Sequence, residues 1–125
     1  MTADFLVAIP VLRASEIAHA QSFYCDRLGF ARDWLYQPHD DLSDPAFMGL
    51  SRGGARLHVS SFSGDGVFGS VATFYVRDVD ALFREYRARE VEIDLEPYDQ
   101  TWGNREMYLQ DPDGNKLRFI QARPD

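Results

Sequence analysis

The segment from Gln100 to Ile120, QTWGNREMYLQDPDGNKLRFI, decides the fold of this chain. Residues 105–110 and 116–121 each show partial alternation of apolar and polar side chains, which is the pattern of half-buried β-strands. Between them, residues 111–115 (DPDGN) have the composition of a tight turn. The segment therefore predicts a β-hairpin.

Three residues of the turn have defined physical roles. Pro112 presets φ at the first central position, Asp111 can accept hydrogen bonds from following backbone amides, and Gly114 can adopt the left-handed conformation. Ahead of the hairpin, Trp102 precedes Gly103, which has no side chain. This pair suits a place where another group approaches the backbone closely.

Two sets of residues resemble one protein superfamily. Near the C-terminus, WGNRE (102–106) is followed by DPDGN and a closing strand. Near the N-terminus, IPVL (9–12) is followed by FY (23–24) and RLGF (27–30). These motifs, in this order, resemble the glyoxalase / bleomycin-resistance / extradiol-dioxygenase superfamily, also called vicinal oxygen chelate proteins. WGNRE is similar to the bleomycin-resistance branch.

Length and composition indicate one ordinary globular domain, residues 1–125, with a formal net charge of −7. That charge disfavours nucleic acid as a partner, because phosphates attract the opposite sign. The apolar run 5–12 is too short to cross a membrane, and no basic signal segment precedes it. The lone Cys25 cannot form an internal disulfide, which predicts a cytoplasmic protein with a surface or half-buried thiol.

The first half of the chain has the pattern βαβββ. Residues 5–12 predict a buried strand, and Ser15 is a suitable cap for the helix that follows. That helix carries the apolar stripe Ile17, Ala20, Tyr24 and Leu28. Gly29 ends the helix, and Gly53-Gly54 forms a tight turn between later strands. Three strands are expected, at 30–36, 47–52 and 55–62.

The second half repeats this order. Residues 71–76 predict a strand, and Asp78 caps a helix with apolar side chains at i, i+3, i+4 and i+7. These side chains are Val79, Leu82, Phe83 and Tyr86. Three short strands are expected at 91–95, 105–110 and 116–121. The chain is thus predicted to be an α+β protein of two βαβββ modules, about residues 5–62 and 71–121. In the superfamily that it resembles, such modules curl into an open cup around a ligand.

The resemblance also implies four strand positions at which enzymes of the superfamily hold a divalent metal with His and Glu. In this sequence they fall at Ile9, near His58, near Val71 and at Arg118. Only His58 can donate a ligand, whereas a catalytic site needs three or four N or O donors. We therefore expect no metal, no cofactor and no enzymatic activity. The alternative is a metal-dependent lyase, isomerase or dioxygenase with His58 as one ligand.

Three other motifs are interpreted as structural. Residues 64–69 (GDGVFG) match the dinucleotide fingerprint by letter, but a strand rather than a helix is expected next, and Asp65 would repel phosphate. The acidic residues between 39 and 44 are interpreted as a solvated loop. The aspartates of 111–113 lack the remaining ligands of a calcium loop.

Aromatic side chains beside loops are the candidate binding residues. Rings in such places can stack on flat heteroaromatic ligands, and each contributes about 0.5–2 kcal/mol with a cation. Trp102 with Gly103 is the leading candidate, whereas Tyr36 and Phe62 fit the core equally well. The predicted ligand-binding residues are Trp34, Tyr36, His58, Phe62, Phe68, Trp102 and Gly103.

The resemblance implies a function without catalysis. Proteins of the bleomycin-resistance branch sequester a basic glycopeptide drug, which has a flat bithiazole and a cationic tail. Two chains of that branch form a dimer by exchanging N-terminal strands, with the drugs between the subunits. Pro10 matches the proline of that strand, or is an ordinary edge-strand proline. We expect a homodimer that sequesters a cationic, flat aromatic drug of the bleomycin type, or alternatively binds another small hydrophobic metabolite.

Overall fold

A computed structural model of the protein describes residues 3–124. The chain forms two βαβββ modules, each with one four-stranded mixed sheet, as the sequence predicts. The first module contains β1 (Val11–Arg13), α1 (Ile17–Gln21), β2 (Ala31–Tyr36), β3 (Phe47–Arg52) and β4 (Ala55–Ser60). A π-helical segment, Ser22–Arg27, continues α1. The second module contains β5 (Val71–Tyr75), α2 (Val79–Ala88), β6 (Leu95–Asp99), β7 (Arg105–Gln110) and β8 (Lys116–Gln121).

The two sheets have the same topology, with strand orders β1-β4-β3-β2 and β5-β8-β7-β6. The first strand of each module runs parallel to the last, and the other neighbours are antiparallel. Parallel neighbours require a crossover, so the helix of each module lies between its first strand and the remaining three. Among the described residues, no helix is long and apolar enough to cross a bilayer.

The hairpin that decides the fold has the predicted strand bounds. One Asp111 carboxylate oxygen accepts hydrogen bonds from the amides of Asp113 and Asn115, each at 2.9 Å. Gly114 has φ +80°, the left-handed conformation that glycine adopts without strain. The turn chemistry is local, and the prediction from sequence is confirmed.

The N-terminal segment differs from the predicted buried strand over residues 5–12. Its strand, β1, begins only at residue 11, and Phe5 and Leu6 are 100% and 94% exposed. No strand of the described chain pairs with the segment before β1, so its apolar side chains are left in solvent. Pro10, at the junction, accepts a 3.0 Å hydrogen bond from the His58 amide through its carbonyl oxygen.

An aspartate side chain accepts a hydrogen bond from the first turn of each helix, but only one of these aspartates is the predicted cap. Asp78 caps α2 by accepting a 3.0 Å hydrogen bond from the Ala81 amide. Ser15 does not cap α1; instead Asp44, from the loop before β3, accepts a 2.9 Å bond from the Ile17 amide. Asp44 is thus a structural residue rather than part of a solvated acidic loop.

The sixth strand lies four residues later than predicted. Residues 91–94 belong to the connection from α2, where the Val91 amide bonds to the Tyr86 carbonyl at 3.0 Å. The strand contains Pro97 at an irregularity in its pairing with β7. A proline fits there, on an edge strand, because its missing amide interrupts no regular ladder.

One contiguous core joins the two modules. Phe30 and Phe74, from different modules, contact edge to face with 5.7 Å between ring centroids. Tyr86 on α2 donates a 2.9 Å hydrogen bond to the Leu28 carbonyl, and Tyr24 donates a 2.7 Å bond to Asp111. The inner faces of the sheets are covered by this core, and their other faces remain open.

Candidate functional site

Side chains that alternate away from the core form two surfaces, which we call the first and second open faces. Strand register brings Trp34, Gly49 and His58 side by side on the first open face. The same alternation places Tyr108 opposite Arg118 on the second. The main side chains of the first open face are Arg13, Trp34, Tyr36, Phe47, Arg56 and His58. Those of the second are Thr73, Tyr98, Glu106, Tyr108, Lys116 and Arg118.

Three rings form a cluster on the first open face. The Trp34 indole stacks on Phe47, with 5.4 Å between centroids and 3° between planes. His58 meets both rings edge to face, at centroid distances of 5.1 and 5.3 Å. Trp34 is 44% exposed, so part of its ring is available to a ligand. We call these residues the first aromatic cluster.

Gly49 makes the position of the Trp34 ring possible. A Cβ atom at residue 49 would lie 2.4 Å from the indole Nε1 and 2.5 Å from Cε2. These distances are far below van der Waals contact, so any larger residue would displace the ring. The absence of a side chain at Gly49 therefore lets the indole lie directly on the sheet.

Three further predicted rings lie at or near the edge of the first open face. Tyr36, which is exposed, stacks on the half-buried Phe62 with 6.0 Å between centroids and 10° between planes. Neither ring belongs to the buried core. Phe68 is exposed and lies beneath the Arg13 guanidinium, 5.1 Å from its central carbon. Tyr36 and Phe68 are therefore exposed to solvent, whereas Phe62 is exposed only in part.

The second open face carries a hydrogen-bonded group of rings. Trp102, 60% exposed, donates from Nε1 to a Glu106 carboxylate oxygen at 2.8 Å. The Tyr108 hydroxyl donates to the other oxygen of Glu106. Arg118 lies over the Tyr108 ring, with 5.3 Å from its central carbon to the centroid. We call Trp102, Glu106, Tyr108 and Arg118 the second aromatic cluster.

Gly103 is approached closely, as the sequence predicts, but by the chain itself. It has φ +105°, and an added Cβ would lie 2.6 Å from Cδ of Arg123. The turn is closed by a 2.8 Å hydrogen bond from the Gln100 amide to the Asn104 carbonyl. Gly103 thus shapes the loop that presents Trp102.

Charge on the open faces differs from that of the whole chain. Although the net charge is −7, the exposed ionic groups here include Arg56, Lys116 and Arg118. Glu106 is a buried residue, 3% exposed, and its carboxylate already accepts two hydrogen bonds. The net negative charge of the chain is therefore not reflected in the exposed ionic groups of these faces.

His58 is the one predicted metal-ligand position that carries a donor side chain. Its strand partner on β1 is Val11, and the β5 partner of Arg118 is Thr73, each two residues beyond the predicted position. Burial lowers the pKa of His58, so its imidazole is neutral at pH 7. Among residues 3–124, no group of three or more His, Cys, Asp or Glu is arranged to hold a metal ion.

The segment with the dinucleotide-like letters is a loop between β4 and β5. Asp65 accepts a 2.9 Å hydrogen bond from the Ser60 hydroxyl, and Gly66 lies against the backbone of β1. No helix begins at this loop, so it lacks the helix N-terminus that holds a pyrophosphate in dinucleotide sites.

Cys25 is half-buried, and burial raises the pKa of its thiol.

The structure joins some of the predicted residues and separates others. Trp34 contacts His58, and Tyr36 contacts Phe62. Trp102 lies in the other module, and no ring contact between the described residues joins the two aromatic clusters.

Sequence reasoning missed four residues of the clusters: Phe47, Glu106, Tyr108 and Arg118, the last considered only as a metal position. For three of them the signal was present, because alternation in β7 and the hairpin register place them on one face. Phe47 gave no such signal, since its place beside Trp34 depends on an irregularity in the pairing of β2 with β3.

The fold and these motifs agree with comparison to known proteins. The model of the family described as glyoxalase superfamily protein matches residues 2–125, and the chain belongs to this family. A search of curated protein sequences found no significant match.

Solved structures extend the comparison. The chain is similar to a bleomycin-binding protein from the bleomycin-producing Streptomyces verticillus, solved with copper(II)-bleomycin: 32% identity, TM-score 0.74, covering 98% of this chain and 100% of that one. A bleomycin-binding protein complexed with bleomycin has 25% identity and TM-score 0.74, with 95% and 100% covered. TnmS3, an antibiotic binding protein from Streptomyces sp. CB03234, shares the fold, with 23% identity, TM-score 0.77 and coverage of 98% and 99%.

Proposed function

We propose that this protein binds and sequesters a flat aromatic antibiotic of the bleomycin type without modifying it. The observation that carries the proposal is the pair of exposed indoles, Trp34 and Trp102, each held on an open sheet face by a built support. Gly49 and Phe47 support the first indole, and Glu106 supports the second. The 32% identity to a bleomycin-binding protein over 98% of the chain adds to this argument.

Stacking and long-range charge have separate roles in the proposal. A flat heteroaromatic ring on an exposed indole gains about 0.5–1.5 kcal/mol beyond the burial of its area. The net charge of −7 attracts a cationic drug from a distance and raises the association rate at low salt. Arg56, Lys116 and Arg118 disfavour a cationic tail directly on the open faces. We therefore place the flat ring at the indoles and the tail away from these cations.

The proposed binding unit is a homodimer with exchanged N-terminal segments. An open face offers rings on one side of a ligand only, so a second copy is needed to enclose the ligand. The arm containing Phe5 and Leu6 is exposed and apolar, and it extends beyond β1 without a partner strand in the described chain. A cleft of about 740 Å³ lies between the base of the arm, the edge strand β5 and α2. We propose that the arm of a second copy occupies this cleft.

The binding experiment is a titration of dialysed, metal-analysed protein with metal-free bleomycin, followed by tryptophan fluorescence and calorimetry. We expect saturation with a dissociation constant below about 1 μM and about one drug per chain. Trp34→Ala and Trp102→Ala should each weaken binding by about tenfold or more while retaining the unfolding midpoint. Trp102→Phe, which keeps an aromatic ring, is the matched control and should weaken binding less than Trp102→Ala.

The same experiment separates sequestration from the alternatives. Mass spectrometry should return the drug with its mass unchanged after prolonged incubation. A drug of altered mass, or stoichiometric divalent metal in the dialysed protein, would favour a metal-dependent enzyme with His58 as one ligand. Absence of binding at tens of micromolar would refute the bleomycin assignment and leave the binding of another small hydrophobic metabolite.

The dimer is tested separately by sedimentation velocity. Leu6→Asp, in the arm, should shift the protein toward the monomer because it replaces an exposed apolar side chain, whose burial would favour association, by a charged one. Leu42→Asp is the matched control, since Leu42 is exposed in a loop. Equal sedimentation of the two variants would contradict the exchanged arm.

A further inference from the structure

Glu106 is a buried acidic residue whose carboxylate lies between Trp102 and Tyr108 of the second aromatic cluster. The residue is 3% exposed. One oxygen accepts the 2.8 Å hydrogen bond from Nε1 of Trp102, and the other accepts the Tyr108 hydroxyl. Both oxygens of the anion are thus used by aromatic side chains.

The environment of Glu106 is unusual for an acidic residue. Burying an unpaired carboxylate is costly, and buried charges are normally paired with a cation. Glu106 forms no ion pair with any residue of the described chain, and the nearby Arg118 lies over the Tyr108 ring instead. An apolar residue would fill the same space without the desolvation free energy of a carboxylate. The carboxylate therefore has a role that packing alone does not explain.

We infer that Glu106 is a positioning residue, which holds the Trp102 indole and the Tyr108 ring in the orientation that a flat ligand stacks on. This inference rests on the proposed function. Trp102 is on a loop and 60% exposed, so without an anchor its side chain would sample several rotamers. Ordering a free side chain on binding weakens affinity, whereas an indole fixed beforehand avoids this loss.

Tyr108 supports the arrangement as a permanent donor. Its hydrogen bond to Glu106, together with burial, raises the pKa of Tyr108, so the phenol stays protonated through the physiological range. The loop beneath Trp102 is itself ordered by hydrogen bonds within the turn from Gln100 to Asn104. The Glu106 contact therefore fixes the last free part of the Trp102 residue, its ring.

The first test measures the motion of Trp102 without any ligand. The chain has two tryptophans, so Trp34→Phe leaves Trp102 as the single indole fluorophore. In the Trp34→Phe protein, where Glu106 is present, time-resolved anisotropy should show an immobile indole. The added substitution Glu106→Leu should produce fast depolarisation. Glu106→Gln should preserve the immobile signal, because its amide oxygen can still accept from Nε1.

The matched control is Glu96→Leu in the same background. Glu96 is exposed on β6, and its side chain is not part of the second aromatic cluster, so its variant should keep the slow anisotropy decay. Should Glu106→Leu not fold, Glu106→Met, similar in length and without an oxygen acceptor, replaces it. An indole that stays immobile in the Leu or Met variant overturns the inference.

The second test measures binding of metal-free bleomycin. In this test Trp34 is retained, so the variants carry only the changes named below. Glu106→Leu should raise the dissociation constant by up to about tenfold, because the ligand must then order a free Trp102 side chain. Combined with Trp102→Phe, which cannot donate, it should weaken binding by clearly less than the product of the two single effects. Multiplicative effects would overturn the inference. If the native protein does not bind the drug, the proposed function fails, and the anisotropy alone decides the positioning role.

Discussion

Replacement of Tyr24 by Phe tests one of the hydrogen bonds that join the two modules. The Tyr24 side chain is fully buried, and its hydroxyl donates a 2.7 Å hydrogen bond to Asp111. The same carboxylate accepts two 2.9 Å bonds from the amides of Asp113 and Asn115, and a 2.8 Å bond from the Asn115 side chain. The substitution thus removes one of four donors from a buried anion and leaves the aromatic ring in place.

The expected magnitude follows from the charge of the acceptor. A hydrogen bond to a charged group contributes about 1.5–3 kcal/mol, so we expect the free energy of unfolding to fall by about 2 kcal/mol. At about 2.1 cal/mol/K per residue, a chain of 125 residues has an unfolding entropy of about 0.26 kcal/mol/K. Dividing about 2 kcal/mol by this entropy lowers Tm by about 8 °C.

The assay is urea unfolding at pH 7, followed by far-UV circular dichroism at one fixed protein concentration. Tyr75→Phe is the matched control, because Tyr75 is exposed and its hydroxyl bonds to no described residue. The control should change the free energy of unfolding by less than about 0.5 kcal/mol. A change equally small for Tyr24→Phe would refute the reasoning.

The same substitution has a signature in alkali. Burial and the neighbouring Asp111 carboxylate raise the pKa of Tyr24 well above its ordinary value of 10.0. Because the unfolded chain ionises more readily, this contribution to stability is fully present below pH 10 and is lost as the pH rises toward the folded pKa. Tyr24→Phe should flatten this alkaline loss. Burial also raises the pKa of Tyr86 to about 12, which leaves a residual slope in the variant.

Three further changes have defined outcomes. Gly49→Ala places a methyl group 2.4 Å from Nε1 of Trp34; we expect an altered near-UV circular dichroism spectrum and bleomycin binding weakened about tenfold in calorimetry. Asp44→Ala removes the acceptor of the first amide of α1 and should lower the free energy of unfolding in urea by about 1 kcal/mol. The hydrogen bond from Arg52 lowers the pKa of Glu85, so the resulting stability is present above the ordinary pKa and lost as the pH falls. Glu85→Gln should therefore flatten the acid limb of stability against pH.

Each of these changes has a matched control in the chain. Gly54→Ala is compared with the Gly49 variant, because an added Cβ at residue 54 meets nothing within 4 Å. Asp40→Ala, in the same loop as Asp44, and Glu96→Gln, on an exposed strand position, serve the other two. If a control variant changes the measured quantity as much as its test variant does, the role assigned to the corresponding contact is wrong.

Local chemistry made much of the fold predictable. The strands β7 and β8 have the predicted bounds, because proline, aspartate and glycine specify the turn between them within five residues. Asp78 caps α2 as expected, since a cap involves only the residues of the first helical turn. Trp34, Trp102 and Gly103 are predicted as candidate binding residues, and that role stays a prediction; the structure leaves both indoles exposed.

Predictions that depended on distant partners fared less well. Residues 5–12 have the composition of a buried strand, but burial requires a neighbouring surface, and the described chain provides none for the arm. Ser15 is suited to cap a helix, yet Asp44 takes that role from another loop. The sixth strand begins later than predicted, because the apolar residues after α2, Val91 and Ile93, pack against the core in the connection.

The paired βαβββ modules, the closing hairpin and the aromatic residues of the candidate site follow from the sequence, because turn residues and side-chain periodicity act over a few residues. Only the tertiary structure decided that Trp34 lies over Gly49 and beside Phe47, and that Trp102 is anchored by a buried Glu106. The reason is physical. Strand register sets the neighbours of a side chain across a sheet, and burial of a charge depends on elements that are remote in the chain.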